Sequence, residues 1–457
     1  MNLLVKDKCF YEKMAVIAIP ISLQSMITIG VNMTDTVMVG MLGETSLSAT
    51  ALANQFVNIY QICCMGIAMG ASVLTSRFWG MQDITSLKKT ITLMLRLCIV
   101  LAVLFMLPTI LIPQLLMRMY TNDSAVIAQG VQYFKWMVYC YFLQGMTLTC
   151  TIVLRSVGQV NFPLFTSIGS FFVNILFNYM FIFGKLGVPR MEVEGAGVGT
   201  LIARVFEFSL ICGYFLFVDR KIGYRLKDLR MKCNSLIKDY VSISIPVFVS
   251  DSLLALGTSA VAMVMGRIGT GFVSANSITV VTQQLTTVII QGICHASCIM
   301  TGHTLGHGER EKAQQQAWTF LILGLVVGIL GGGLIKVLSR PIIGLYNITP
   351  ETAQIAGELM DAIAFIVIFQ SMNSILTKGV LRGGGDTKFL MVADIIFLWA
   401  ASLTLGILAG LVWHLDAFWI YVFLKIDQIC KSIWCVFRLR SGKWIKAFSK
   451  EKMNHAQ

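Results

Sequence analysis

Charge is scarce in this sequence. Asp, Glu, Lys and Arg make up 13% of its 457 residues, about half the share found in soluble domains. No stretch is long and polar enough to form a separate soluble catalytic domain. Signatures of chemistry are missing too: there is no Walker A sequence, no H-E-x-x-H and no G-x-S-x-G. Their absence excludes ATP hydrolysis by this chain and leaves an enzyme without a visible nucleophile, acid–base pair or metal cluster. Twelve cysteines are present, but a disulfide framework is not. Ten lie inside apolar runs, and Cys9 and Cys233 lie in basic segments assigned to the reducing cytoplasm. No C-x-x-C pair with histidine partners points to a metal site.

What is present is hydrophobic sequence. Apolar residues make up 56% of the chain, and mean hydropathy is +0.75. Breaks in the apolar runs give an all-α integral membrane protein with twelve transmembrane helices, at roughly 20 apolar residues per crossing. The expected spans are 14–40, 48–78, 90–117, 126–154, 162–184, 195–218, 240–266, 276–304, 315–338, 352–381, 388–411 and 417–438. The first run is too long for the apolar core of a signal peptide and is expected to stay as a helix.

Within that first run, from Met14 to Gly40, Asp35 is the one ionisable side chain. A charge at such depth costs about 2.5–3.5 kcal/mol on insertion scales, so the residue either faces a protein interior or water-filled cavity, or carries a proton. Pro20 lies about four turns earlier and removes one backbone hydrogen bond, which makes it a bend point.

Lys and Arg crowd one set of loops: the N-terminal lysines, Arg77 to Lys89, Arg155, the stretch 219–233, Arg310 to Lys312, Arg382 to Lys388, and the tail from Arg438. The positive-inside rule places these in the cytoplasm, with both termini, in a multi-pass protein of the cell (inner) membrane. The net charge of +13 then reads as contact with anionic lipid rather than with nucleic acid.

The chain repeats itself. Ile19-Pro20-Ile21 and Gly40 to Gly43 return as Ile245-Pro246-Val247 and Gly266 to Gly269, and Leu154-Arg155 to Gly158 returns as Leu381-Arg382 to Gly385. Two six-helix lobes follow, at 1–218 and 240–457, joined by a basic linker at 219–239. An even number of helices per lobe makes the repeats parallel, related by a pseudo-two-fold axis along the membrane normal.

Polar residues at membrane depth give the candidate site. Asn174 and Asn178 are four apart, on one face of the fifth helix. Thr200 lies one turn into the sixth. With Asp35 they can form an oxygen-rich pocket for H+ or Na+, against the alternative of ordinary interhelical hydrogen bonds. Arg204 and Glu207, three apart, are expected to neutralise each other, and Lys425, Asp427 and Lys431 repeat that pattern. In the second lobe the candidates are Asp251, five residues after Pro246, with Gln370, Asn373 and Asp394. His295 reads as a packing residue, and Gly324, Gly328 and Gly331 to Gly333 as close helix packing or, alternatively, a hinge.

Pro20 with Asp35-Thr36-Val37-Met38-Val39-Gly40, the stretch Leu381-Arg382-Gly383-Gly384-Gly385-Asp386-Thr387, and the two parallel halves resemble the multidrug and toxic compound extrusion (MATE) family over nearly the whole chain. The resemblance implies a secondary antiporter that exports organic cations in exchange for H+ or Na+, with no other cofactor. It implies a V-shaped pair of lobes around an outward-open cavity, and a cation site at the positions of Asp35, Asn174, Asn178 and Thr200. Some relatives carry an aspartate where Asn178 stands, and others an acid near Asn373. Asp251 matches an acidic position of the seventh helix. The expected partners are an amphipathic organic cation and membrane lipid, and the expected state is a monomer. The alternative is a flippase or exporter for a lipid-linked or other endogenous metabolite, for which cationic residues facing the cavity are expected.

Overall fold

The computed structural model describes residues 4–344 and 348–446. Among them the chain is helical almost throughout. The first half contributes α1 (Lys8–Gly40), α2 (Glu44–Gly80), α3 (Ile84–Leu111), α4 (Ser124–Ser156), α5 (Asn161–Phe183) and α6 (Glu192–Val218). The second contributes α7 (Asn234–Ile268), α8 (Thr270–Gly306), α9 (Arg310–Ile343), α10 (Pro350–Leu381) and α11 (Thr387–Val412). The twelfth span, α12, is broken. Ala417–Leu424 stops at Lys425, and Ile426–Arg440 continues beyond it. Eleven helices among the described residues are thus individually long and apolar enough to cross a membrane, and the two pieces of α12 supply the twelfth. The outermost ends of both termini, assigned to the cytoplasm above, lie outside the described residues.

The repeat is visible in the backbone. Gly158 and Gly385 end the fourth helix of each half with φ of +79° and +85°, a left-handed conformation that glycine adopts without steric cost. Gln82 (φ +58°) and Gly308 (φ +81°) occupy matching turns after the second helix of each half.

The chain divides into two compact units. One is Leu23–Ser244; the other combines the residues up to Ser22 with those from Ile245 onward. The division falls inside α1 and α7, beside the buried Pro20 and Pro246. Both helices run through their proline without interruption.

In the first unit, Tyr60, Phe134, Met137 and Tyr141 form a buried aromatic core. The chain after α6 folds back on α3. Lys88 binds the Asp228 carboxylate at 2.9 Å and the Gly223 carbonyl at 2.6 Å, and Arg96 donates to Leu229 and Met231 carbonyls. Tyr224 stacks on Phe215 with ring centroids 5.5 Å apart. In the second unit, Leu359, Met360, Ile363 and Ile366 of α10 sit at the centre of the core. Gly328 and Gly332 of α9 lie against the α10 backbone. A Cβ on Gly328 would come within 2.8 Å of Ile368 Cα. Close packing therefore accounts for these glycines, whereas Gly333 has nothing within 4 Å of its would-be Cβ.

The N-terminal residues belong to this second unit. The Val5 amide donates to Thr319 Oγ1 at 3.0 Å, Phe10 packs on Phe320, and Gly292 leaves room for Ala18 and Ser22. Past α12 the chain turns back, and Trp444, fully buried, lies over Gly384 and donates to Gln314 Oε1 at 2.7 Å. Arg438 grips Asp386 with two nitrogens, at 2.6 and 3.2 Å.

Candidate functional site

The sequence-predicted residues of the first half come together. Asn178 Nδ2 donates to Asp35 Oδ1 at 2.6 Å and to Asn174 Oδ1 at 3.3 Å. Both asparagines are buried, at 2% and 1% exposure. The four-residue spacing on α5 aligns them as the helical period requires. Gly199 of α6 makes the approach possible, since a Cβ there would meet the Asn178 side-chain oxygen and lie 2.8 Å from its backbone nitrogen. Asn178 spends its donor group on two acceptors, and its own Oδ1 is buried with no hydrogen-bond partner. A buried acceptor left unmade costs about 1–3 kcal/mol. That oxygen, the Asp35 carboxylate and the nearby amide oxygen form a donor set of the kind hard cations prefer.

Asp35, Asn174 and Thr200 line a cavity of about 330 Å³ within the first unit. Arg204 and Glu207 line it as well and pair at 2.8 Å, as their spacing on α6 leads one to expect. Asp35 is the one charged side chain on the cavity wall that makes no ion pair among the described residues, although Arg204, paired with Glu207, is near enough to act on its charge. Asn54 lines the cavity too, and its Oδ1 accepts from Tyr133 at 3.2 Å.

One part of this site is absent from the sequence reading. Gln24 donates to Ser167, a cavity-lining residue, at 2.8 Å and accepts from Arg155. The signal was available: Gln24 precedes Asp35 by eleven residues, close to three full turns, which puts both on one face of α1.

The second-half candidates do not converge on one point. Asp251 is held by Arg382 at 3.1 Å. Gln370 accepts from Gln283 at 2.6 Å. Asp394 and Asn373 join a third group. Lys431 bridges Asp394 at 3.1 Å and Asp427 at 2.9 Å, and Asn373 reaches Asp427 through Gln428, in steps of 2.8 and 2.6 Å. Lys431 thus ends in a buried double ion pair, one half of it the pairing with Asp427 that their spacing leads one to expect.

A family model described as MatE matches residues 20–180 and, a second time, residues 246–408. The chain belongs to the MatE family. The second match begins 226 residues after the first, the offset at which Pro20 returns as Pro246. Among relatives, an uncharacterized transporter YisQ of Bacillus subtilis is 24% identical over 419 residues, covering 90% of both chains. A probable multidrug resistance protein NorM of Thermotoga maritima is 23% identical over 436 residues, covering 94% of this chain and 92% of its own. The Vibrio cholerae MATE transporter VcmN in its bent form superposes with a TM-score of 0.86 at 16% identity, over 95% of this chain and 97% of that one. A multidrug resistance MATE family transporter in an outward-facing conformation gives 0.83 at 18%, over 94% and 96%. This MatE protein is accordingly a multi-pass membrane transporter with the twelve-helix, two-lobe fold.

Proposed function

We propose that this MatE protein exports amphipathic organic cations in exchange for H+ or Na+ across the cytoplasmic membrane. It does so as a monomer with both termini in the cytoplasm. The observation that carries the reading is the Asp35 carboxylate, hydrogen-bonded to Asn178 at the wall of a cavity whose other two charges cancel. The names of the NorM relatives point the same way.

Ionised Asp35 draws a cation into the cavity. Arrival of a proton or sodium ion removes or occupies that charge, and the balance of hydrogen bonds holding α1 to α5 changes. The helix then shifts about Pro20, and affinity for the organic cation falls. Coupling requires only that each ligand favour a different state. A lipid-linked phosphate cargo calls for free cationic side chains in the cavity, and the guanidinium there is already held by Glu207.

The test is efflux from proteoliposomes under separately imposed proton and sodium gradients. The natural protein is expected to respond to one of them. Asp35→Asn is expected to reach the membrane and lose gradient-driven export. Undiminished export by D35N would end the proposal.

A further inference from the structure

Gln24 works as a crosspiece in the first unit. It stands on α1 four residues after Pro20 and is 8% exposed. Its side-chain oxygen accepts from Arg155 at the end of α4, and its side-chain nitrogen donates to Ser167 on α5 at 2.8 Å. Thr28, Val31 and Asp35 continue the same face of α1 at helical spacing, and all three line the cavity. Where Gln24 is held, that lining is held with it.

The second half is tied at the same positions of the repeat. Asp251, Arg382 and Asp394 follow Gln24, Arg155 and Ser167 by 227 residues each. Asp251 holds Arg382 at 3.1 Å, and Ser250 beside it donates to Asp394. In each half the proline-bearing helix is thus bound to the end of the fourth helix and to the fifth.

The chemistry of the two ties differs. Arg382 faces a carboxylate, whereas Arg155 faces an amide and pairs with no acid among the described residues. A guanidinium on a carboxylate adds charge attraction to its hydrogen bonds, and that attraction is strong inside a protein. Parting such a pair away from water strands both charges. Parting Gln24 from Arg155 strands one neutral amide, and Arg155 meets no acid before or after. Pro20 and Pro246 loosen both helices alike, since each removes one backbone hydrogen bond just ahead of the tie. The tie on α1 is therefore the easier to release, and the tie on α7 the harder.

We propose that Gln24 is a positioning residue for transport: its neutral tie to Arg155 is the clamp that α1 lets go when it shifts about Pro20, while the ionic tie of Asp251 to Arg382 keeps α7 in place. Letting go at Gln24 frees the stripe that carries Asp35. The role in export rests on the reading of Asp35 given above; the difference in strength between the two ties does not.

Gln24→Glu keeps the shape of the side chain and gives α1 the carboxylate that α7 already has. In liposomes, with neither gradient nor cargo, backbone amide exchange over residues 24–40 is expected to slow on the order of tenfold, because an ion pair then has to part. Gln24→Met keeps the length and removes both bonds, and exchange over the same residues is expected to quicken. In proteoliposomes with tetraphenylphosphonium as the probe cation, turnover by Q24E is expected to fall on the order of tenfold while KM changes far less. A residue that mattered only to folding would pair lost turnover with faster exchange, not slower. Exchange in Q24E that is unchanged or faster, exchange in Q24M that does not rise, or slowed exchange in Q24E with undiminished turnover would each overturn the proposal. The exchange arms involve no gradient, so their failure leaves coupling at Asp35 standing.

Discussion

Asp35 accepts a short hydrogen bond from Asn178, and the place of that asparagine depends on a glycine. Replacing Asn178 with Ala removes the 2.6 Å bond and leaves the carboxylate short of a donor, at a cost of about 1–3 kcal/mol. The expected result is a loss of coupled efflux on the order of tenfold or more, read in proteoliposomes. Gly199→Ala is expected to act in the same direction without touching either polar residue, since its methyl group displaces the Asn178 side chain. A G199A protein with unchanged efflux would show that the placement of Asn178 is immaterial. The Asn174 and Asn178 pair was legible in the sequence because helical spacing aligns the two on one face, and Asp35 because it is the one acid in a long apolar run. Of the double ion pair of Lys431, the half made with Asp427 was legible from its spacing, and the half made with Asp394 was not. The latter joins two helices whose relative rotation is set by the widened turns of α11 over Ile395–Leu403 and the break in α12, and neither leaves a trace in an apolar pattern.

Single helices carry their own consequences. Gly328 touches the α10 backbone and Gly333 touches nothing. Gly328→Val is expected to destabilise the protein by about 1–3 kcal/mol through overpacking, seen as a drop of several degrees in thermal unfolding in detergent. Gly333→Ala is expected to leave the transition in place or raise it slightly, because alanine favours the helix. The sequence named both glycines alike; only the packing separates them. The segment after α6 is tied to α3 through Lys88 and Asp228. Partial burial alone would push the Asp228 carboxyl up. The Lys88 hydrogen bond, the Arg225 amide and the charges of both residues outweigh it and hold the group below its ordinary range. A depressed carboxyl stabilises the fold above its unfolded value, about 3.9, and the gain is lost as pH falls through the lower folded value. Amide exchange in 219–233 is therefore expected to stay slow down to about pH 4 and to accelerate only below it. Asp228→Asn is expected to loosen the segment and speed tryptic cleavage at the already exposed Arg225, Lys227 and Arg230 at neutral pH.

At the scale of the whole molecule, the two-fold internal repeat could be read from prolines and glycines, because those residues mark backbone events that survive when side chains diverge. What the repeat did not reveal is how the ends of the chain are used. Trp444 lies wholly buried over Gly384 and bonded to Gln314, in a basic tail that the sequence assigns only to the cytoplasmic side. Trp444→Ala is expected to cost about 3–5 kcal/mol, measurable as a large fall in thermal stability, and Trp444→Phe to recover most of it. The opening residues are used just as firmly. Those up to Ser22 belong to the unit built from Ile245 onward, and their seats on Gly292, Thr319 and Phe320 are synthesised only after the whole first half of the chain. The ribosome therefore delivers the start of α1 long before its docking surface exists. A nascent chain halted midway presents an unmatched span to the membrane quality-control proteases, and a first half expressed alone inherits the same exposed handle for degradation.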